Sequence, residues 1–300
     1  MNLCGRLLCV LSFVSVCTIL YFGILEEESF HLDTDCGKRP DRGVPGFPRA
    51  KRFLGRPVKL GAWPWVVSLQ YRSSHSSPFV QRCAGAVIYK DWILTTATCF
   101  YQPAFRNLSD WRIKTGTEDL NNDGSHTQTA SIEAIILHRD YQPKSKYQDI
   151  ALVKLATPLE FNDYVDRICI PDKMIVEEFK YGECYIAGYD GPMGYNPGLL
   201  KESHVTLFPS NQCNMMTWRK FTVAANMFCA GGRHGYRDGC ETNIGGPISC
   251  FVPATKRYYV KGIRIVANKC GVPRRPNIYL QVSKHFHWIA RKIDNYEKGP

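Results

Sequence analysis

The sequence predicts an all-β fold, a sandwich or a pair of barrels, with a short α-helix at the carboxyl end. Three observations predict it. Short apolar or alternating runs rich in Val, Ile, Tyr and Trp recur from Trp65 onward, Gly, Pro, Asn and Asp separate them, and no long helical pattern intervenes. The runs cover residues 65–71, 83–89, 92–96, 132–138, 150–155, 184–188, 246–251, 258–267 and 277–282. Only the end differs, where Val282, Phe286, Ile289 and Ile293 fall near the 3.6-residue period of an amphipathic helix. No internal repeat suggests a solenoid or propeller.

Three hundred residues at 44% hydrophobic suffice for one large domain or two small ones with a self-supporting core. Against 27 Asp and Glu stand 38 Lys and Arg, a formal net charge of +11. Such a balance attracts anionic partners, an acidic protein surface or an anionic glycan among them. The basic residues are densest at 38–59, and no Lys/Arg run is interleaved with aromatics, so nucleic acid is not an expected partner.

The amino-terminal thirty residues read as an address. Residues 1–6 form a short basic region, and residues 7–25 are nineteen residues without a charge, followed by Glu26, Glu27 and Glu28. As a helix that stretch spans about 28 Å, enough to cross a bilayer. Two readings fit: an uncleaved signal-anchor, which the length favours, or the core of a cleaved signal peptide. Arg6 on the cytosolic side places the bulk of the chain outside the cytosol in either case. The expectation is a single-pass type II membrane protein with an extracellular domain, or a secreted one.

Residues 26–52 shift to Pro, Gly and basic residues and read as a stem or pro-segment. Within them Arg49-Ala50-Lys51-Arg52 has the form of a proprotein-convertase site, which makes Arg52 a candidate processing point. Asn107-Leu108-Ser109 is an N-glycosylation sequon. Of thirteen cysteines, Cys4, Cys9 and Cys17 lie in or before the apolar stretch and ten follow it, an even number suited to an oxidising compartment. No C-x-x-C or H-E-x-x-H spacing is present, so neither a metal site nor a small-molecule cofactor is expected.

From about Gly61 to Ile293 the chain resembles the trypsin-like (chymotrypsin-type) serine proteases, most closely their acrosin-like and transmembrane branch. The resemblance rests on linked motifs in the family's order. They are Gly61-Ala62-Trp63-Pro64-Trp65 with Val67-Ser68-Leu69-Gln70, Trp92-Ile93-Leu94-Thr95-Thr96-Ala97-Thr98-Cys99, Asp149-Ile150-Ala151-Leu152, Met227-Phe228-Cys229-Ala230-Gly231, and Gly245-Gly246-Pro247-Ile248-Ser249-Cys250. It implies two packed six-stranded β-barrels over residues 53–300. It also implies five bridges: Cys83 with Cys99, Cys184 with Cys250, Cys213 with Cys229, Cys240 with Cys270, and Cys36 with Cys169 tying the pro-segment to the domain.

Acyl transfer on this fold needs a hydroxyl nucleophile, a histidine base, an orienting carboxylate and backbone donors for the oxyanion. The resemblance places Thr98 at the histidine, retains the carboxylate as Asp149, and puts Ile244 at the nucleophile. Asp149 is then expected to accept hydrogen bonds from Thr98 or nearby backbone. Thr242 stands at an oxyanion-hole glycine, and a β-branched residue resists the backbone geometry a glycine permits. Asn243 replaces the aspartate that pairs with the new terminus after activation. Cleavage after Arg52 would expose Phe53-Leu54-Gly55, one residue short of the family's register.

The pocket signal is mixed. Asp238 matches the aspartate that selects basic side chains, whereas Ile265-Val266-Ala267-Asn268-Lys269 and Asn277 replace the small residues of its walls. The expectation is an inactive homologue that binds a protein or anionic glycan partner, with a reproductive role suggested by the branch. The alternative is a hydrolase using Thr242 as nucleophile with His75, His126, His138, His204, His234, His285 or His287 displaced into the cleft. A third reading is a scaffold retained for its fold alone.

Overall fold

The computed structural model describes residues 35–40, 56–172, 175, 180–189, 198–215, 223–231, 243–266 and 276–299. Its strands are β1 (Arg56–Pro57), β2 (Val66–Tyr71), β3 (Val80–Tyr89), β4 (Trp92–Thr95), β5 (Trp111–Thr115), β6 (Gln128–Leu137), β7 (Ala151–Leu155), β8 (Cys184–Tyr189), β9 (Leu200–Phe208), β10 (Met227–Gly231), β11 (Pro247–Val252), β12 (Arg257–Val266) and β13 (Asn277–Gln281). β2, β3, β4, β7, β6 and β5 close in that order into one antiparallel barrel. β9, β10, β13, β12, β11 and β8 form a second, closed by pairing of β8 with β9, and β1 adds to the outside of β9. Closure removes free strand edges, which suits a domain built from many short strands.

Each barrel is filled by the large residues of its strands. Trp65, Trp92, Trp111, Leu69, Ile93 and Ile113 are fully buried around the first, and Tyr279, Ile278, Leu280 and Ile263 around the second. At the end of the first barrel Trp111 packs on Phe100 and Tyr71, with ring centroids 4.6 and 5.2 Å away, and its indole N–H donates to the Phe105 carbonyl at 2.9 Å. The barrels are joined by buried polar contacts. The Trp65 indole donates to Ser249 Oγ at 2.9 Å, the Tyr189 hydroxyl to the Thr117 carbonyl at 2.8 Å, and the Ala84 N–H to the Ile244 carbonyl at 2.7 Å.

The carboxyl end is a 3-10 turn (Val282–His285) leading into α2 (Phe286–Glu297); α1 (Ser210–Asn214) is one short turn earlier. The helix predicted from Val282 thus begins four residues later. Trp288, Ile289 and Ile293 supply its buried face, and Tyr296 packs edge-on against Trp92 at 5.3 Å, so the helix covers the first barrel. Strands β1, β5, β9 and β10 were absent from the sequence-based strand pattern. β9 reads as polar (Lys201, Glu202, Ser203, His204), yet Glu202 is buried because two donors converge on it.

Those donors come from both sides of the Cys36–Cys169 bridge. Trp63 Nε1 donates to Glu202 Oε2 at 2.6 Å and Arg39 Nη2 donates to the same oxygen at 3.1 Å. The Arg39 guanidinium lies 4.1 Å over the Trp63 ring and donates to the Ala62 carbonyl. Gly37 sits at φ +66°, where a Cβ would run into the Tyr258 backbone and Cys169 Sγ, so this approach requires glycine. Residues 35–40 are held by an ion pair and a cation–π contact as well as a disulfide. Bridges 83–99, 184–250 and 213–229 also form; Cys240, Cys270, Arg52 and the whole apolar segment lie outside the described residues. Among the described residues no helix is long and apolar enough to cross a membrane.

Arg39→Ala strips a buried carboxylate of its guanidinium donor. With the Cys36–Cys169 bridge intact, urea denaturation should show a loss of about 1–3 kcal/mol. An unchanged midpoint would mean that Glu202 is satisfied without Arg39.

Candidate functional site

Thr98 lies in the 3-10 turn Ala97–Cys99 that follows β4, and the Cys83–Cys99 bridge pins that turn to β3. Asp149 lies two residues before β7 and has no exposed surface. β4 and β7 are paired, Thr95 opposite Ala151, which brings the two together. Thr98 donates its backbone N–H to Asp149 Oδ1 at 2.8 Å and its hydroxyl to Oδ2 at 2.5 Å. With its only proton engaged, Thr98 Oγ1 accepts from the Tyr141 hydroxyl at 2.8 Å and from Lys146 Nζ at 2.9 Å. Lys146 Nζ also reaches the Tyr141 hydroxyl at 3.4 Å. Thr98, Asp149, Tyr141 and Lys146 form one closed polar knot.

The loop that delivers Lys146 is bent sharply. Gln142 and Tyr147 bridge across it, and Lys146 and Gln148 adopt φ of +58° and +52°, a left-handed backbone uncommon for residues with side chains. Gln148 is held from the second barrel: its amide meets His285 Nε2 and accepts from Asn226 Nδ2 at 3.3 Å, while His285 Nδ1 lies 3.1 Å from the Gln281 carbonyl. Neither Lys146 nor Tyr141 is signalled by any motif, because their role depends on where the loop folds back.

Ile244 is half-buried and packs against the main core, its carbonyl taken by Ala84. Gly245 sits at φ +85°, where a Cβ would strike Thr95 Oγ1 and the Ala84 carbonyl, so a glycine is required beside the junction of the barrels. The Gly245 N–H donates to the Arg264 carbonyl at 2.8 Å, and the Arg264 N–H donates to Gly246 at 3.0 Å. Asn243 is buried; its Oδ1 accepts from Gln81 Nε2 at 3.1 Å, and Gln81 Oε1 accepts weakly from Ser68 at 3.4 Å. The amide of Asn243 is thus engaged by another neutral amide.

Asn277 opens β13 with no exposed surface. Thr242, Asp238 and His234 lie outside the described residues. No histidine hydrogen-bonds Thr98 or Asp149 among the described residues. His75 meets Arg72 at the surface, His126 stacks on Tyr164 at 3.6 Å, and His204 packs on Tyr185. His138 and His285 lie edge to face at 6.0 Å with Trp288 beside His138, and His287 packs on Phe286. The sequon residue Asn107 is exposed; its Oδ1 accepts from Ser109 Oγ at 3.1 Å. No group of three or more His, Cys, Asp or Glu is placed to hold a metal among the described residues.

A family model described as Trypsin matches residues 53–289. The chain belongs to the trypsin family. Within that family's two-barrel frame, the knot around Asp149 and the turn carrying Ile244 stand where the barrels meet.

Burial raises the Asp149 pKa from 3.8 to about 6, against the opposing hydrogen bonds from Thr98. Folding therefore favours protonated Asp149, a contribution fully present below pH 3.8 and lost as pH rises to about 6. His285 has the opposite sign. Burial depresses it from 6.5 to about 4, so its contribution is present above 6.5 and lost as pH falls through about 4. Each shift corresponds to about 3 kcal/mol, and the two slopes oppose one another across the shared window. Asp149→Asn removes one of them. Urea denaturation at stepped pH should show a steeper loss of stability from pH 6 to pH 4 in this variant, by up to about 3 kcal/mol. An unaltered slope would show that Asp149 titrates as an ordinary carboxylate.

Proposed function

We propose that this trypsin-family chain is an inactive homologue exposed outside the cell, acting by binding a protein or anionic glycan partner rather than by cleaving peptides. The observation that carries the reading is the knot at Asp149. The carboxylate's hydrogen bonds go to a threonine whose hydroxyl is in turn engaged by Tyr141 and Lys146, and Ile244 offers no nucleophilic atom. Threonine cannot serve as a general base near neutral pH. Removing a triad serine or histidine costs about 10⁶ in kcat. From a typical turnover of about 10 s⁻¹ that leaves on the order of one event per day.

An acrosin-like affiliation, a reproductive role, glycosylation at Asn107 and either a signal-anchor or secretion complete the reading. The four disulfides among the described residues support an oxidising, extracellular or lumenal setting for the domain. Activation by a new terminus has lost its charge partner, because Asn243 is neutral and already bonded to Gln81. For an anionic partner the +11 charge has visible heads on the first barrel: Arg82 lies 3.5 Å over Phe105, and Arg72 and Arg112 both lie over Phe79, at 4.9 and 4.3 Å.

The purified ectodomain, intact or cut after Arg52, should neither react with a fluorophosphonate probe nor turn over a lysine or arginine chromogenic substrate. Labelling abolished by Thr242→Ala would overturn the reading in favour of a rebuilt threonine nucleophile. On a heparin column, Arg82→Ala/Arg112→Ala should elute at clearly lower salt than wild type; wild-type retention that vanishes near physiological salt would remove the glycan partner.

A further inference from the structure

The carboxyl-terminal helix carries a basic stripe on its outer side. Trp288, Ile289 and Ile293 turn inward and are buried, while Tyr296 packs on Trp92 and donates to Glu133 of the first barrel. From the 3-10 turn onward Lys284, His287, Arg291, Asn295 and Lys298 follow one another at three- and four-residue steps, and all five are exposed. Such spacing places side chains on one face of a helix. Between His287 and Lys298 the stripe runs about 16 Å at 1.5 Å per residue.

Lys298 is paired with Asp294 at 3.0 Å, whereas neither Lys284 nor Arg291 forms an ion pair among the described residues. A further cation stands near Lys284. This is Lys261 on β12, whose ammonium lies 4.4 Å over the Tyr181 ring and has no carboxylate partner among the described residues. Burial, and then the positive charge of Lys284, hold the Lys261 amine below the ordinary lysine range. Two like charges therefore oppose one another here, and a bound anion would relieve the repulsion.

The chemistry of the face selects among anionic partners. Lipid surfaces are bound by helices that offer apolar residues to them, and those of α2 face the barrel. Single strands of nucleic acid are held by stacking on aromatic rings as well as by charge, and the stripe offers no Phe, Tyr or Trp. A narrow row of cationic and hydrogen-bonding heads instead matches a linear chain with anionic groups along its length.

We propose that Lys261, Lys284, His287 and Arg291 form a docking track for a linear anionic glycan along the outer side of α2. The inference rests on the binding reading and deepens it, giving that partner contacts besides the arginines of the first barrel.

The probe is a heparin octasaccharide, titrated against the purified, disulfide-intact protein at a series of salt concentrations. Lys284→Gln/Arg291→Gln should bind at least about tenfold more weakly than wild type and with a shallower salt dependence. Lys59→Gln/Lys144→Gln removes the same charge from two exposed lysines elsewhere and should change affinity by less than about twofold. Equal losses in the two pairs overturn the proposal, since net charge alone then explains retention, and so does wild-type affinity in the stripe variant. Acetylation of wild type with a lysine-specific reagent needs no variant: heparin should shield Lys284 but not Lys144, and an unshielded Lys284 overturns the track. A stripe variant that loses phosphatidylserine-vesicle binding as fully as heparin binding overturns the choice of a glycan. Fluorophosphonate labelling separates the two readings. A wild type that binds no heparin and is not labelled loses this proposal and keeps the non-cleaving reading, whereas one that is labelled yet binds heparin through the stripe loses only the non-cleaving reading.

Discussion

The buried carboxylate of Asp149 is the constraint around which the junction of the barrels is arranged. A carboxyl group with no exposed surface must be given donors or kept protonated. Here both responses operate: Thr98 provides two hydrogen bonds, and burial still lifts the pKa to about 6. The consequences spread outward along the chain. Lys146 and Gln148 adopt left-handed backbone of the kind that costs about 1–3 kcal/mol per residue. Their side chains explain why the bends persist, since one reaches Thr98 and the other reaches His285 and Asn226 in the second barrel.

The frame around this arrangement rests on contacts made elsewhere. Trp65 to Ser249, Tyr189 to Thr117 and Ala84 to Ile244 tie one barrel to the other with buried hydrogen bonds. The disulfides limit the unfolded chain, each typically worth about 2–4 kcal/mol. The docked segment 35–40 adds a charge pair at Glu202. None of these contacts involves Thr98, and only the carbonyl of Ile244 takes part. Side chains at both positions can therefore change while the barrels stay closed.

Much of the fold was legible because period-2 runs and turn residues are local signals. Residues 65–71 and 277–282 carried their strands openly, whereas β9 did not, because Glu202 is buried against donors distant in sequence. β5 is five residues long with Arg112 and Lys114 between its apolar positions, and Lys114 is buried only because the Leu120 carbonyl and Asp123 receive its ammonium. The site divides in the same way. Thr98, Asp149 and Ile244 stand in motifs and were found there. Lys146 and Gln81 were missed, since a loop lysine and a strand glutamine gain meaning only when folding sets them against a hydroxyl and an amide.

The polar contacts at the junction share one physical direction, which bears on the function proposed above. At Thr98 a hydroxyl is locked between a carboxylate and an ammonium. Asn243 and Gln81 hold each other as neutral amides. An amide pair has no charge to gain or lose, so the segment leading to Ile244 has no electrostatic reason to respond to a new terminus. Each of these groups is held in a satisfied, static hydrogen bond, an arrangement that favours neither proton transfer nor exchange of partners. A surface selected to bind benefits from a fixed frame, whereas a cleavage site needs groups that change state. That is the physical argument for the binding reading proposed above, in which the surface arginines resting on aromatic rings would meet the partner.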